Sequence, residues 1–429
     1  MANVETLGTL ERRVSVAVAA DEVERKVDER LKQLARNVRM PGFRPGKVPL
    51  KLIAQTYGPQ VRSEVLSDAV QKSFTDAVKE ANLRVAGYPK FENTKDLEFS
   101  ATFEIYPEVK VGDLEAASIE RPQVEVDDAA VDKTIEILRK QRTRFEPASR
   151  PAQDNDRLTV DFRGTIDGEA FAGGEGKDFV FGLGAGRMLP EFEAAARGMS
   201  AGEDKTFELT FPADYHGKEV AGKKASFTMT LKKVDAPVLP ELDAEFAKTL
   251  GVADGDIAKM RAEVRANVER EVKKRVEARV KDQALQALLS ATPLEVPKAL
   301  VGMESASMAA RAQADLKARG IDPAQVPINP QAFEETARRR VALGLIINEL
   351  KQSENVNPKP AEVRAMVEQE AQSYESPAEV VKWFYMQPQR LSEMEAMALE
   401  SNVVKWVLAK AKVLDKPVTF DELMGGSSS

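Results

Sequence analysis

Cysteine is absent from this chain of 429 residues, and histidine occurs once, as His216. The first absence excludes disulfides, thiol nucleophiles and Cys-based zinc sites, and fits a reducing compartment. The second excludes a multi-His metal site and leaves one residue for any Ser-His-Asp triad. No metal and no cofactor is expected. Long apolar runs are also missing: the roughly 18–20 consecutive apolar residues of a membrane span occur nowhere. The first residues, MANVETLG, carry no basic start, apolar stretch or small-residue cleavage site of a secretory signal. Together these absences point to the cytosol, with no membrane partner.

Acidic residues are missing from one stretch of an acidic protein. The net charge is −7, which argues against general nucleic-acid binding. From Arg30 to Arg62, however, the chain carries Arg36, Arg39, Arg44, Lys47 and Lys51 among other bases, and no Asp or Glu. Such a run reads either as a docking surface for a polyanion or acidic partner, or as a solvated helix face and loop.

What is present is ordinary for a water-soluble chain: 43% hydrophobic and 31% charged residues. The length exceeds one core and suggests about two to four domains. Four segments differ in pattern. In residues 1–112, Val14, Val16 and Val18 alternate as in a strand, and Val23, Val27, Leu31, Leu34 and Val38 recur as on a helix. Asp21 is placed to cap that helix, and Met40-Pro41-Gly42 to stop it. A second helix is expected from Val61 to Val78, then strands near 83–91 and 97–106, giving a compact α+β unit. Residues 113–150 read as an extended piece and a helix carrying Val131, Ile135 and Leu138.

Residues 151–235 are glycine-rich and mostly β, with strands at Leu158–Phe162, Phe179–Phe181, Thr206–Phe211 and Ala225–Val234. Asp167-Gly168 reads as a hairpin turn. Residues 236–429 are helical. Val264, Val268, Val272, Val276 and Val280 recur every four residues, and further helices are expected near 297–319, 331–353, 359–373, 377–386 and 391–412. The tail Gly425–Ser429 should be flexible.

Two glycine-rich stretches fail as nucleotide motifs. In Gly42-Phe43-Arg44-Pro45-Gly46-Lys47-Val48-Pro49, three residues separate the glycines instead of four, and Val48 replaces the required Ser or Thr. The run Gly182–Arg187 lacks the G-x-G-x-x-G spacing and a surrounding βαβ unit. In the first stretch, two glycines and two prolines make a shaped turn. Phe43 beside Arg44 reads as an interface anchor or as a ring folded inward. Aromatic load marks 151–235: Phe162, Phe171, Phe179, Phe181, Phe192, Phe207, Phe211, Tyr215 and Phe227 line a pocket or fill a core. The methionines Met303, Met308, Met366, Met386, Met394 and Met397 suit an adaptable binding surface, or simply pack internally.

The loop Gly42–Pro49 resembles the ribosome-binding signature of bacterial trigger factors. The resemblance implies that Phe43, Arg44 and Pro45 dock beside the nascent-chain exit tunnel, on a ribosomal protein and adjacent ribosomal RNA, with Gly42, Gly46 and Lys47 shaping the loop. The order Val160–Gly164, Asp167–Phe171, Phe179–Gly184, Met188–Glu193, Phe211–Gly217 and Phe227–Val234 resembles the FK506-binding type of prolyl isomerase. That implies a prolyl pocket at Phe162, Phe171, Phe179, Met188, Leu189, Phe192 and Phe227, with Tyr215 or His216 at its rim. Phe192 stands where simple members of that family carry tryptophan, and Ala172 where they carry aspartate. From Leu294–Val301 onward the chain resembles the helical trigger factor region that cradles unfolded chains.

The resemblance covers the whole chain and implies a multidomain α+β protein. Residues 1–112 would form an N-terminal α+β ribosome-binding domain, 113–150 part of the C-terminal body, 151–235 an inserted, mostly β FKBP-like domain, and 236–429 an all-α domain with helical arms. The expected partners are the ribosome and nascent or unfolded polypeptides; a homodimer off the ribosome is left open. Two rivals remain at this stage. One is a plain isomerase with structural flanks; the other is a scaffold whose pocket is lost, motivated by Ala172 and Phe192.

Overall fold

A computed structural model of the chain describes residues 3–38, 40–41, 43, 48–95, 97–215, 217–324, 326–372, 374 and 376–425. In chain order the first elements are β1 (Asn3–Thr6), β2 (Glu11–Ala17), α1 (Ala20–Asn37), α2 (Leu50–Glu80), β3 (Val85–Lys95) and β4 (Glu98–Ile105). There follow β5 (Ser118–Gln123), α3 (Asp128–Gln141) and β6 (Arg144–Pro147). The glycine-rich segment forms β7 (Arg157–Ile166), β8 (Glu169–Gly182), α4 (Pro190–Ala196), β9 (Asp204–Thr210) and β10 (Lys224–Val238). The rest is α5 (Ala244–Thr249), α6 (Ile257–Ala291), α7 (Lys298–Ala318), α8 (Glu334–Ser353), α9 (Pro360–Ala371), α10 (Pro377–Met386), α11 (Pro388–Lys410), β11 (Lys412–Pro417) and α12 (Phe420–Met424). Among the described residues, no helix is long and apolar enough to cross a membrane.

The chain divides into two compact units. One comprises Met1–Arg121 and Ala278–Lys416, the other Pro122–Glu277 and Pro417–Ser429. In the first, an antiparallel sheet of order β1-β2-β4-β3 buries Val14, Val16, Ala101 and Phe103 against Phe74, Ala77 and Val78 of α2. The helical part of this unit packs through Ile346 and Leu350 of α8, Val363 and Val367 of α9, and Val403 and Val407 of α11. It meets the sheet through α7: the Glu104 carboxylate accepts from the Ala299 backbone N–H at 2.7 Å.

Two local expectations change. Asp21 does not cap α1; Ala19 occupies that position without a side-chain bond, and Asp21 lies in the first turn, where its charge opposes the helix dipole favourably. The helix ends at Asn37, ahead of Pro41. Helix α2 begins at Leu50, well before Val61, and continues through Pro59. A proline inside a helix costs about 3 kcal/mol. Burial decides the matter: Val48 and Ile53 lie in one core with Val23, Val27 and Leu31.

The second unit contains a five-stranded antiparallel sheet of order β6-β10-β7-β8, with β9 also on β10. Asp167 and Gly168 make its hairpin turn, both with positive φ, between the paired residues Ile166 and Glu169. Apart from that sheet, α3 and the first part of α6 share a core. Val264, Val268 and Val272 are buried there with Val131, Ile135, Phe246, Met260 and Leu423. The four-residue valine spacing thus marks a buried stripe, as read from the sequence.

Candidate functional site

One core of the second unit, shared by its sheet and α4, gathers phenylalanines. Phe162 comes from β7, Phe171 and Phe179 from β8, Phe192 from α4 and Phe227 from β10. Phe162 meets Phe179 and Phe192 edge to face, each at 5.5 Å between ring centres, and Phe227 at 6.0 Å. Phe192 lies 6.0 Å from Phe227, and Phe171 is 6.0 Å from it on another side. Edge-to-face rings set a positive rim against a negative face, so the cluster is rigid as well as apolar. Phe192 and Phe227 are buried, whereas Phe162, Phe171, Phe179, Met188, Leu189 and Tyr215 are half-buried and pack against the same core. A buried floor with a half-exposed ring of apolar walls is the form of a small-ligand pocket.

The backbone makes room for these rings at two glycines. A Cβ on Gly164 would lie 2.5 Å from Phe227, and one on Gly176 would lie 2.5 Å from Phe162. Real Cβ atoms do not approach so closely, so each glycine is a seat for one ring. Register irregularities in the β7–β8 pairing fall beside them, between Val160 and Phe162 and between Arg163 and Thr165. Asp161 holds the first. Its Oδ1 accepts from the Asp178 backbone N–H at 2.7 Å, and Lys232 bridges Asp161 and Asp178. That backbone hydrogen bond, aided by Lys232 against a partial loss of solvent, holds the Asp161 carboxyl below the usual range.

A second anchor fastens the chain entering the sheet. Asp156 is fully buried and paired with Arg150, and it also accepts from the Gln153 backbone N–H at 2.8 Å. Burial alone would raise its pKa, but the Arg150 guanidinium and the Gln153 N–H outweigh that and lower it.

Most residues singled out from the sequence therefore converge. Phe162, Phe171, Phe179, Met188, Leu189, Phe192, Tyr215 and Phe227 belong to one cluster; His216 lies outside the described residues. Phe211, at 4.9 Å from Tyr215 and 5.9 Å from Phe171, and Phe207, stacked on Phe227 at 6.0 Å, also belong to it. Both appear in the aromatic load of the sequence, but nothing there separates wall from core. Phe43 is 41% exposed, so its ring is not folded into the core. Gly42, Arg44, Pro45, Gly46 and Lys47 lie outside the described residues.

None of the six methionines noted in the helical segment is buried. Met303, Met386 and Met397 are exposed, and Met308, Met366 and Met394 are half-buried. Helix α10 buries only Phe384, leaving Trp383, Tyr385 and Met386 open to solvent.

Three family models match the chain. Residues 1–138 match "Bacterial trigger factor protein (TF)", 148–232 match "FKBP-type peptidyl-prolyl cis-trans isomerase", and 256–409 match "Bacterial trigger factor protein (TF) C-terminus". Among curated relatives, the trigger factor of Aromatoleum aromaticum is 55% identical over 429 residues, spanning 99% of each chain. The trigger factor of Azoarcus sp. is 54% identical, over 98% of this chain and 97% of its own. That of Nitrosospira multiformis is 55% identical, over 99% of each. With matches of that extent, the chain belongs to the trigger factor family of chaperones and carries within it an FKBP-type peptidyl-prolyl isomerase domain.

Proposed function

We propose that the chain is an ATP-independent, cytosolic chaperone that docks on the ribosome through residues 42–47, receives nascent polypeptides on residues 236–429, and isomerises X-Pro bonds in the pocket of residues 151–235. The observation that carries the catalytic part is the ring of half-exposed apolar walls around buried Phe192 and Phe227. Rotating an X-Pro amide requires loss of C–N resonance, a barrier of about 18–20 kcal/mol. Without help it takes roughly tens to hundreds of seconds. The twisted amide is less dipolar than the planar one, so an apolar cavity binds it better than it binds the ground state. That difference lowers the barrier, about tenfold in rate for each 1.36 kcal/mol. No nucleophile is needed, in keeping with a chain that has no cysteine.

The docking part is supported by an exposed Phe43 within a stretch free of acidic residues, since phosphate-rich RNA rewards local positive charge. The chain-binding part is supported by the open methionine and aromatic side chains of α10 and α11.

Two measurements test the reading. Isomerisation of a Phe-Pro peptide is expected for the full chain and should vanish on Phe192→Ala or Phe227→Asp; equal activity in those variants would remove the pocket assignment. The intact chain should sediment with ribosomes, and a Phe43→Ala, Arg44→Ala, Pro45→Ala variant should not. Sedimentation of both to the same extent would move docking elsewhere.

A further inference from the structure

Met188 and Leu189 directly follow the turn Gly182–Arg187, so the position of that turn sets one wall of the pocket. Gly182, Gly184 and Gly186 leave it little stiffness of its own. One end is fastened by backbone bonds: Leu183 N–H donates to the Asp156 carbonyl, and Asn155 N–H to the Leu183 carbonyl, both at 2.8 Å. The other fastening is a side chain. Glu193 follows Phe192 on α4 and is only 8% exposed. Its Oε2 accepts from the Gly184 N–H at 3.2 Å, while its buried Oε1 has no hydrogen-bond partner among the described residues. A buried carboxyl so thinly satisfied costs stability, and an apolar residue of the same size would cost less. What the carboxyl gains for the fold is closure: its bond to Gly184 ties off the segment that carries Met188 and Leu189.

We propose that Glu193 is a positioning residue for isomerisation, pinning Gly184 so that Met188 and Leu189 stay set against the Phe192 floor. The inference rests on the pocket assignment above. Its test compares the full chain with Glu193→Gln, Glu193→Asp and Glu193→Met on a Phe-Pro peptide. Phe192→Ala serves as the control, and exchange of the Gly184 amide is followed by NMR. Glutamine keeps an acceptor oxygen at the same reach. Aspartate keeps the carboxyl group but falls one methylene short. Methionine keeps the volume alone.

The expected result is a glutamine variant within about twofold of the parent, with aspartate and methionine variants slowed about tenfold and Gly184 protection lost. Equal rates in all three, or a loss shared by the glutamine variant, would overturn the positioning role. A Phe192→Ala protein as active as the parent would instead overturn the pocket assignment, so the two failures are distinct. If the methionine variant does not fold, the aspartate and glutamine pair decides.

Discussion

Arg150 grips Asp156 through two parallel hydrogen bonds, Nη1 to Oδ2 at 2.7 Å and Nη2 to Oδ1 at 2.8 Å, and the Asp156 side chain is wholly withdrawn from solvent. The Asp156 backbone carbonyl meanwhile accepts from Leu183 N–H, at the start of the turn that leads to the pocket wall. One residue thus joins the sheet's entry to the turn that precedes Met188 and Leu189.

The pH dependence follows from that pairing. The native pKa of Asp156 is lowered, so its contribution is complete above the unfolded aspartate value of about 3.9. It is lost as pH falls below that value and through the native one. Protection of the amides of residues 157–183 against hydrogen exchange, relative to their intrinsic rates, should therefore fall as pH drops through this range. Asp156→Asn keeps the shape, weakens the charged hydrogen bonds by about 2 kcal/mol, and should flatten this acid response.

Gly164→Ala and Gly176→Ala should each slow Phe-Pro isomerisation by about tenfold or more, because the added methyl displaces Phe227 or Phe162 from its seat. Neither change introduces charge or removes a hydrogen bond. Ribosome sedimentation should be unaltered in both. An isomerase rate equal to the parent's in both variants would show that the rings have room to shift without consequence.

The open side of α10 yields a separable outcome. Met386 is 80% exposed, so Met386→Glu should alter stability by no more than about 0.5 kcal/mol. Combined with Tyr385→Ser, it should weaken the chain's suppression of aggregation of an unfolded protein while peptide isomerisation stays at the parent level. The measurement is light scattering during refolding, run beside the peptide assay. A fall in both activities together would place client capture in the pocket instead.

Much of this was legible before any coordinates. The valine spacing marked the buried stripe of α6, and the Asp167-Gly168 pair marked its hairpin, because periodicity and positive-φ turns are local signals. The start of helix α2 is not legible, since the burial of Val48 and Ile53 against α1 is tertiary. The residues of the aromatic cluster are linked in the sequence by ordered motifs and resemblance, not by pattern. Gly164 and Gly176 had no signal as ring seats: a glycine adds nothing to hydrophobic periodicity, and its role exists only once a distant strand lies over it. Glu193 likewise carries no sequence signal of its role, because its partner is a backbone N–H.

Phe192, buried among the rings of the proposed pocket, is a phenyl ring where the resemblance to the FK506-binding type leads one to expect an indole. An indole N–H donates in one direction, and whatever lies above it must present an acceptor there. Phe192 asks for no such match; it senses bulk and dryness and nothing about polarity. On the proposed function, prolines would arrive in many sequence contexts, and a surface indifferent to the carbonyl's heading would serve them all. Tolerance of substrate would then be written into one missing nitrogen.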